Sequence, residues 1–230
     1  LSGVSAQEIR SGWNLVESST NSDLLASEYH DGEFWVFGEN GIMLRSVDEG
    51  VTWQQAEKLA DDDLTASDSN FGTMAVAGNS GSIHIMIEDG WRDFSQPDLI
   101  DEISDIALTS NNSLVLLSGN SIWNCEISDG DLECESVWNE PENSLNGVSF
   151  LDSENGLVAA DGGIIVATTD GGDTWEYRDA PEEIGASDIV EITYYSSIRA
   201  YAISEDGHII KSSREGNVPV GFVWSIVEIE

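Results

Sequence analysis

Cations are scarce in this chain. Eight Lys and Arg residues stand against 44 Asp and Glu, a formal net charge of −36 over 230 residues. Binding to a phosphate backbone relies on cations that displace counterions, so this balance excludes a nucleic-acid partner. It also disfavours docking on an anionic membrane surface. Long apolar runs are missing as well. None reaches the roughly 18 residues that a membrane-spanning helix needs. Histidine is limited to His30, His84 and His208, and no Cys or His stands near them at metal-ligand spacing, so the sequence predicts no metal site. No phosphate-binding loop, G-x-S-x-G elbow or dinucleotide fingerprint is present, so no cofactor is expected. The chain opens at Leu1 without a basic-then-apolar leader, a start that suits a mature secreted form and a trimmed chain equally. Only four prolines accompany 22 glycines, a ratio that suits many tight turns between short strands.

What the chain does contain is a repeat. An apolar run, a Gly-rich turn, a second apolar run, an acidic Gly turn and a Trp recur five times. The turn residues Gly41, Gly81, Asn120, Gly163 and Gly207 stand 40, 39, 43 and 44 residues apart. A further apolar stretch precedes each copy, at Leu24–Ala26, Leu64–Ala66, Ile103–Ala107, Val148–Phe150 and Ile189–Ile192. Four short strand signals per period of about forty residues are what propeller blades produce. The predicted fold is therefore all-β: one β-propeller domain over residues 1–230, with about five four-stranded blades and no helix of consequence. The apolar stretches before each copy are read as the innermost strands. Trp13–Glu17 matches Trp224–Glu228, and both read as outermost strands. That gives six such strands for five blades, and leaves open a sixth, partial blade or a closure in which the spare strand hides an edge.

Two copies carry a complete S/T-x-D-x-G-x-T-W turn. The first is Ser46, Asp48, Gly50, Thr52 and Trp53; the second is Thr168, Asp170, Gly172, Thr174 and Trp175. An Asp carboxylate at this spacing accepts backbone N–H groups across the turn. The Gly tolerates a left-handed backbone and the Trp supplies an apolar face. These ten residues are accordingly read as structural. The pattern resembles the Asp-box, or BNR, repeat family of propellers, and within it the photosystem II stability and assembly factor group. The resemblance covers nearly the whole chain and implies a non-enzymatic, partner-binding scaffold. The chain departs from that group in its shortage of arginine and in its five blades.

Sialidases share the Asp-box repeat and use three arginines, a Tyr–Glu pair and an Asp acid. Here none of Arg10, Arg45, Arg92, Arg178, Arg199 and Arg214 stands on an inner strand in that signature, so no catalytic residue is assigned. The expected function is a secreted binding propeller for a protein or carbohydrate partner. The alternative is a glycan-active hydrolase with an unfamiliar carboxylate pair. The two cysteines, Cys125 and Cys134, flank Asp129–Gly130. A two-residue turn there places them opposite each other, which predicts a disulfide, an oxidising compartment and hence an extracellular or periplasmic location. Strong acidity with only two lysines, Lys58 and Lys211, fits a marine or salt-adapted source. So large a like charge repels itself, and ions screen that repulsion. The midpoint of thermal unfolding should therefore rise between low ionic strength and about 1 M NaCl, where the screening length falls to about 3 Å. A flat or falling midpoint contradicts the electrostatic reading.

Overall fold

The computed structural model describes residues 15–16, 18, 20–87, 90–96, 101–140, 142–214 and 222–228. They form five four-stranded antiparallel sheets, each a blade whose strands succeed one another in sequence. Blade 1 holds β1 (Leu24–His30), β2 (Glu33–Gly38), β3 (Met43–Ser46) and β4 (Gln54–Gln55). Blade 2 holds β5 (Leu64–Asn70), β6 (Thr73–Gly78), β7 (Ile83–Ile87) and β8 (Gly90–Asp93). Blade 3 holds β9 (Ile103–Leu108), β10 (Ser113–Ser118), β11 (Ser121–Ser128) and β12 (Asp131–Asn139). Blade 4 holds β13 (Leu145–Phe150), β14 (Gly156–Ala160), β15 (Ile164–Thr168) and β16 (Glu176–Arg178). Blade 5 holds β17 (Ile189–Ser196), β18 (Arg199–Ser204), β19 (Ile209–Arg214) and β20 (Phe222–Ile226).

The first strand of each blade packs on the first strand of the next, β1 on β5, β5 on β9, β9 on β13 and β13 on β17. The five apolar stretches read from the sequence as innermost strands therefore fall in the innermost strands. The only helical elements among the described residues are single 3-10 turns, and three of them lie in the tight connections between second and third strands. In the blade 1 turn, Asn40 and Gly41 both take positive φ, and a Cβ on Gly41 would stand 2.0 Å from the Ala60 carbonyl oxygen. Only glycine meets both demands there.

Apolar side chains join the blades pairwise. Trp35, Phe37 and Met43 of blade 1 share a core with Leu64, Met74 and Val76 of blade 2. Ala75, Ile83 and Ile85 of blade 2 share one with Ile106, Leu114 and Leu116 of blade 3. Val115, Leu117 and Ile122 of blade 3 pack with Val158, Val166 and Trp175 of blade 4. Leu157, Ala159 and Ile165 of blade 4 pack with Ile192, Ala202 and Trp224 of blade 5. Among the described residues no fifth core joins blade 5 back to blade 1. The second strands record the difference. β6 and β14 are buried at every position, as sheets covered on both faces must be, whereas β2 and β18 alternate. Among the described residues, Leu25, Tyr29 and Phe34 on blade 1 and Tyr195, Ile203 and Val223 on blade 5 are exposed.

The spare outer strand read from the sequence falls largely outside the described residues. Of Trp13–Glu17 only Leu15 and Val16 are described; both lie outside every sheet, and Leu15 is 96 % exposed. The outermost place in blade 5 belongs to β20.

The two S/T-x-D-x-G-x-T-W turns lie between third and fourth strands and are built alike. Asp48 Oδ1 accepts the Thr52 N–H at 2.8 Å and its Oδ2 accepts the Thr52 hydroxyl at 2.6 Å. Asp170 does the same with Thr174, at 2.9 and 2.6 Å. The Ser46 and Thr168 hydroxyls accept the N–H groups of Gly50 and Gly172, at 2.9 and 3.0 Å. Their bonds hold both aspartates below the usual carboxylate range, against a desolvation that is the largest influence on Asp170. Blade 3 lacks such a turn and carries a disulfide instead. Cys125 and Cys134 face each other in register on β11 and β12 and are joined, with Cα atoms 4.1 Å apart. Between this bond and the Asp129–Gly130 turn lie the rungs Glu126–Glu133, Ile127–Leu132 and Ser128–Asp131, as a two-residue turn requires.

Candidate functional site

Two regions stand out for chemistry, the axis on which the inner strands converge and a groove between blades 3 and 4. On the axis, a cavity of about 470 Å³ is lined by Glu28 of blade 1, Asp68 of blade 2, Asp105 of blade 3 and Glu191 of blade 5. Blade 4 offers Ser149 there instead. Two of the carboxylates stitch blades together. Asp68 Oδ2 accepts the Leu108 N–H of blade 3, and Asp105 Oδ2 accepts the Val148 N–H of blade 4, both at 2.7 Å. Each uses its other oxygen for the N–H of the next residue, Ser69 and Ile106, at 2.8 Å. Ser149 Oγ plays the same part toward blade 5, accepting the Tyr194 N–H at 3.1 Å. Between blades 1 and 2 the link is His30 Nδ1 with Ser69 Oγ, 2.8 Å apart.

Crowding four carboxylates in a narrow space has an electrostatic cost. Burial pushes Asp105 up to about 7, the Val148 and Ile106 N–H groups oppose it, and Glu191 and Asp68 add repulsion. Burial likewise raises Glu28 to about 7, opposed by the Tyr29 N–H and reinforced by Asp68. Asp68 and Glu191 are also raised, again chiefly by burial. Asp105 and Glu28 therefore bind protons near neutrality, but among the described residues no group of three or more His, Cys, Asp or Glu side chains is arranged to hold a metal ion.

The second region is a cleft of about 700 Å³ at the rim. One wall is the β11–β12 hairpin, with Asn124, Glu126, Glu133 and Glu135. The other is the Asp170 turn of blade 4, with Gly171 and Asp173. Asn124 Nδ2 donates to Asp173 Oδ1 at 3.1 Å and ties the walls together. Gly172 permits the approach, since a Cβ there would meet Val115 Cγ2 at 2.9 Å.

The residues singled out in the sequence fall elsewhere or in supporting roles. The ten turn residues occupy the connections before the outermost strands, away from the axis. Arg45 pairs with Glu33 and lies 5.4 Å from the Trp35 ring centre; Arg178 pairs with Glu176. His84 is buried, with Nε2 3.1 Å from the Ser82 hydroxyl, and burial lowers its pKa. His208 bonds Asp206 within its turn at 2.8 Å. The axial carboxylates are the residues that sequence reasoning passes over. Their signal is a Ser-acid pair inside an inner strand, Ser27–Glu28, Ser67–Asp68 and Ser104–Asp105, where a purely structural strand would bring an apolar or neutral residue.

No family model matches the chain. The photosystem II assembly lipoprotein Ycf48 of Synechococcus sp. (strain CC9902) is 20 % identical over 243 residues, covering 83 % of this chain and 72 % of that protein. The chain is a β-propeller with sequence similarity to Ycf48. The Ycf48 lipoprotein of Prochlorococcus marinus (strain NATL2A) is 33 % identical over 79 residues, 32 % of this chain and 23 % of the relative. Among solved structures, Ycf48 from Cyanidioschyzon merolae superposes with a TM-score of 0.66 at 14 % identity, over 89 % of this chain and 73 % of that one. Ycf48 bound to D1 peptide gives 0.67 at 16 % identity, over 86 % and 67 %. The Swd1 β-propeller domain from Myceliophteria thermophila gives 0.64 at 9 % identity, over 88 % and 73 %. The structural likenesses speak for the fold.

Asp105 allows a direct check of the axis. Its folded pKa of about 7 lies above its ordinary value of 3.8, so its protonation favours the fold. That contribution is full below the unfolded pKa and is lost as pH rises through 7. Glu28 acts in the same direction. Stability should therefore fall between about pH 5 and pH 8, and Asp105→Asn, which keeps an acceptor for Val148, should flatten that fall. Asp105→Ala strands the Val148 and Ile106 N–H groups and should cost about 2–4 kcal/mol at either pH. Denaturant unfolding of the three proteins at both pH values decides it; an Asn variant with an unchanged pH profile would rule out the assignment.

Proposed function

We propose that this chain is a non-enzymatic binding propeller that recognises a protein partner outside the cytoplasm. The observation that carries the reading is the sequence relationship to Ycf48, which extends over 83 % of the chain and includes a lipoprotein named for assembly. A propeller of the same fold has been seen with a peptide bound. The axial chemistry agrees with this reading. Asp68 and Asp105, two of the four axial carboxylates, are committed to backbone N–H groups of the neighbouring blade. Export is supported by the Cys125–Cys134 bond, which persists in oxidising compartments. A protein partner is preferred to a carbohydrate because the relatives point to protein assembly. We further read residues 1–230 as one domain and the Asp48 and Asp170 turns as Asp-boxes that brace blades 1 and 4.

The test is binding to an array of extended peptides spanning cationic, neutral and anionic sequences, run beside a glycan array and a panel of glycosides. Saturable peptide binding without turnover is the expected result. Binding confined to glycans, or a glycosidase rate abolished by Asp105→Asn, would overturn the proposal.

A further inference from the structure

Blade 3 is built differently from its neighbours. Its outermost strand, β12, is nine residues long, while β4, β8, β16 and β20 have two, four, three and five. Being last in its sheet, β12 presents a backbone edge that pairs with no other strand among the described residues, although its Leu132 carbonyl already accepts the Gln96 side-chain amide at 3.0 Å. A free edge of this kind is a template for another strand.

The side chains along this edge are arranged by the pleat. Leu132 and Cys134 turn toward the core shared with blade 2. Glu133 and Glu135, two residues apart, line the groove toward blade 4. Across the hairpin Glu126 stands directly opposite Glu133, a like-charge pair that costs stability. The neighbouring rung is the Cys125–Cys134 bond, which holds the pair together in spite of the repulsion. Asp173 on the far wall brings a fourth carboxylate, and no Lys, Arg or His lines the groove among the described residues. Both walls are fixed before any ligand arrives, one by the disulfide and the other by the Asp170 bonds to Thr174. A preformed groove spares a ligand the cost of ordering it.

We propose that a cationic segment of the partner adds along β12 as an extended strand, with Lys or Arg at alternate positions filling the groove between blades 3 and 4. Side chains of an added strand alternate in direction, so residues i and i+2 fall on one face. That spacing matches Glu133 and Glu135. Strand addition supplies backbone hydrogen bonds for affinity, and the alternating charges supply selectivity. The same acidic edge repels other copies of this chain, which guards β12 against self-pairing. The inference rests on the reading of the chain as a protein-binding propeller and gives that partner a place and a chemistry.

The probe is an end-blocked peptide alternating Lys and Thr, compared with one of identical composition in which the lysines are grouped. Binding is followed by fluorescence anisotropy at physiological ionic strength. The groove variant E126Q/E133Q/E135Q removes three charges. Exposed ion pairs contribute weakly, so the three together should weaken the alternating peptide about tenfold. The variant E182Q/E183Q/E205Q removes three charges from exposed positions elsewhere and should change binding by less than about twofold. Thermal melts of both variants confirm folding, and the groove variant should melt no lower than the parent because it loses the Glu126–Glu133 repulsion. Equal weakening by both variants would mean diffuse attraction to a charge of −36 and would overturn the proposal. Equal binding of the alternating and grouped peptides would overturn strand addition. Peptides from the array that bind but ignore the groove variant would remove this site while leaving the protein-binding reading intact. Failure of every peptide to bind would remove both.

Discussion

A β-sheet with two apolar faces is stable in water only while another sheet covers each of them. That constraint organises this molecule. The middle strands of blades 2, 3 and 4 carry nearly unbroken apolar runs, Met74–Ala77, Leu114–Leu117 and Leu157–Ala160, and each run divides its side chains between two neighbours. Burying such side chains contributes about 1.5–3 kcal/mol apiece for the larger ones. No blade can collect that contribution alone. The polar seam at the axis arises from the same packing. Once inner strands are pressed together, N–H groups such as those of Leu108 and Val148 are cut off from water, and Asp68 and Asp105 are the acceptors that satisfy them.

This interdependence explains which parts of the architecture could be read from residues. The period of about forty, the inner strands, the Cys125–Cys134 rung and the Asp48 and Asp170 turns are all local patterns of alternation and turn chemistry. Each strand, rung or turn is settled within a short stretch of chain. Two features are not local. Whether the outer faces of blades 1 and 5 are covered depends on how the two ends of the blade series meet in space. Tyr29, Phe34, Tyr195 and Ile203 look like ordinary strand residues in the sequence, and their exposure shows only once the blades are placed. The axial carboxylates are likewise a product of convergence. Glu28, Asp68, Asp105 and Glu191 lie far apart in the chain, and a net charge of −36 hides four acidic residues among 44.

The electrostatics divide along the same line. Most carboxylates are solvated and act together as a diffuse field. The axial ones are desolvated and pulled toward neutrality, and those of the groove between blades 3 and 4 are held close by a covalent rung. The groove also differs in how its walls are made. The Asp170 turn and the disulfide brace neighbouring blades by different chemistry, one through charge-assisted hydrogen bonds to Thr174 and the other through a bond that reduction removes. Two rigid elements thus fix the shape of the groove.

The central claim is that stability is shared through inter-blade cores and does not reside in five independent sheets. Amide hydrogen exchange under native conditions, resolved by strand, measures it most directly, because protection reports the free energy of local opening. The slowest exchange is expected in β6, β10 and β14, which are covered on both sides, with β2 and β18 opening earlier. Protection in β2 and β18 equal to that of the middle blades would contradict it.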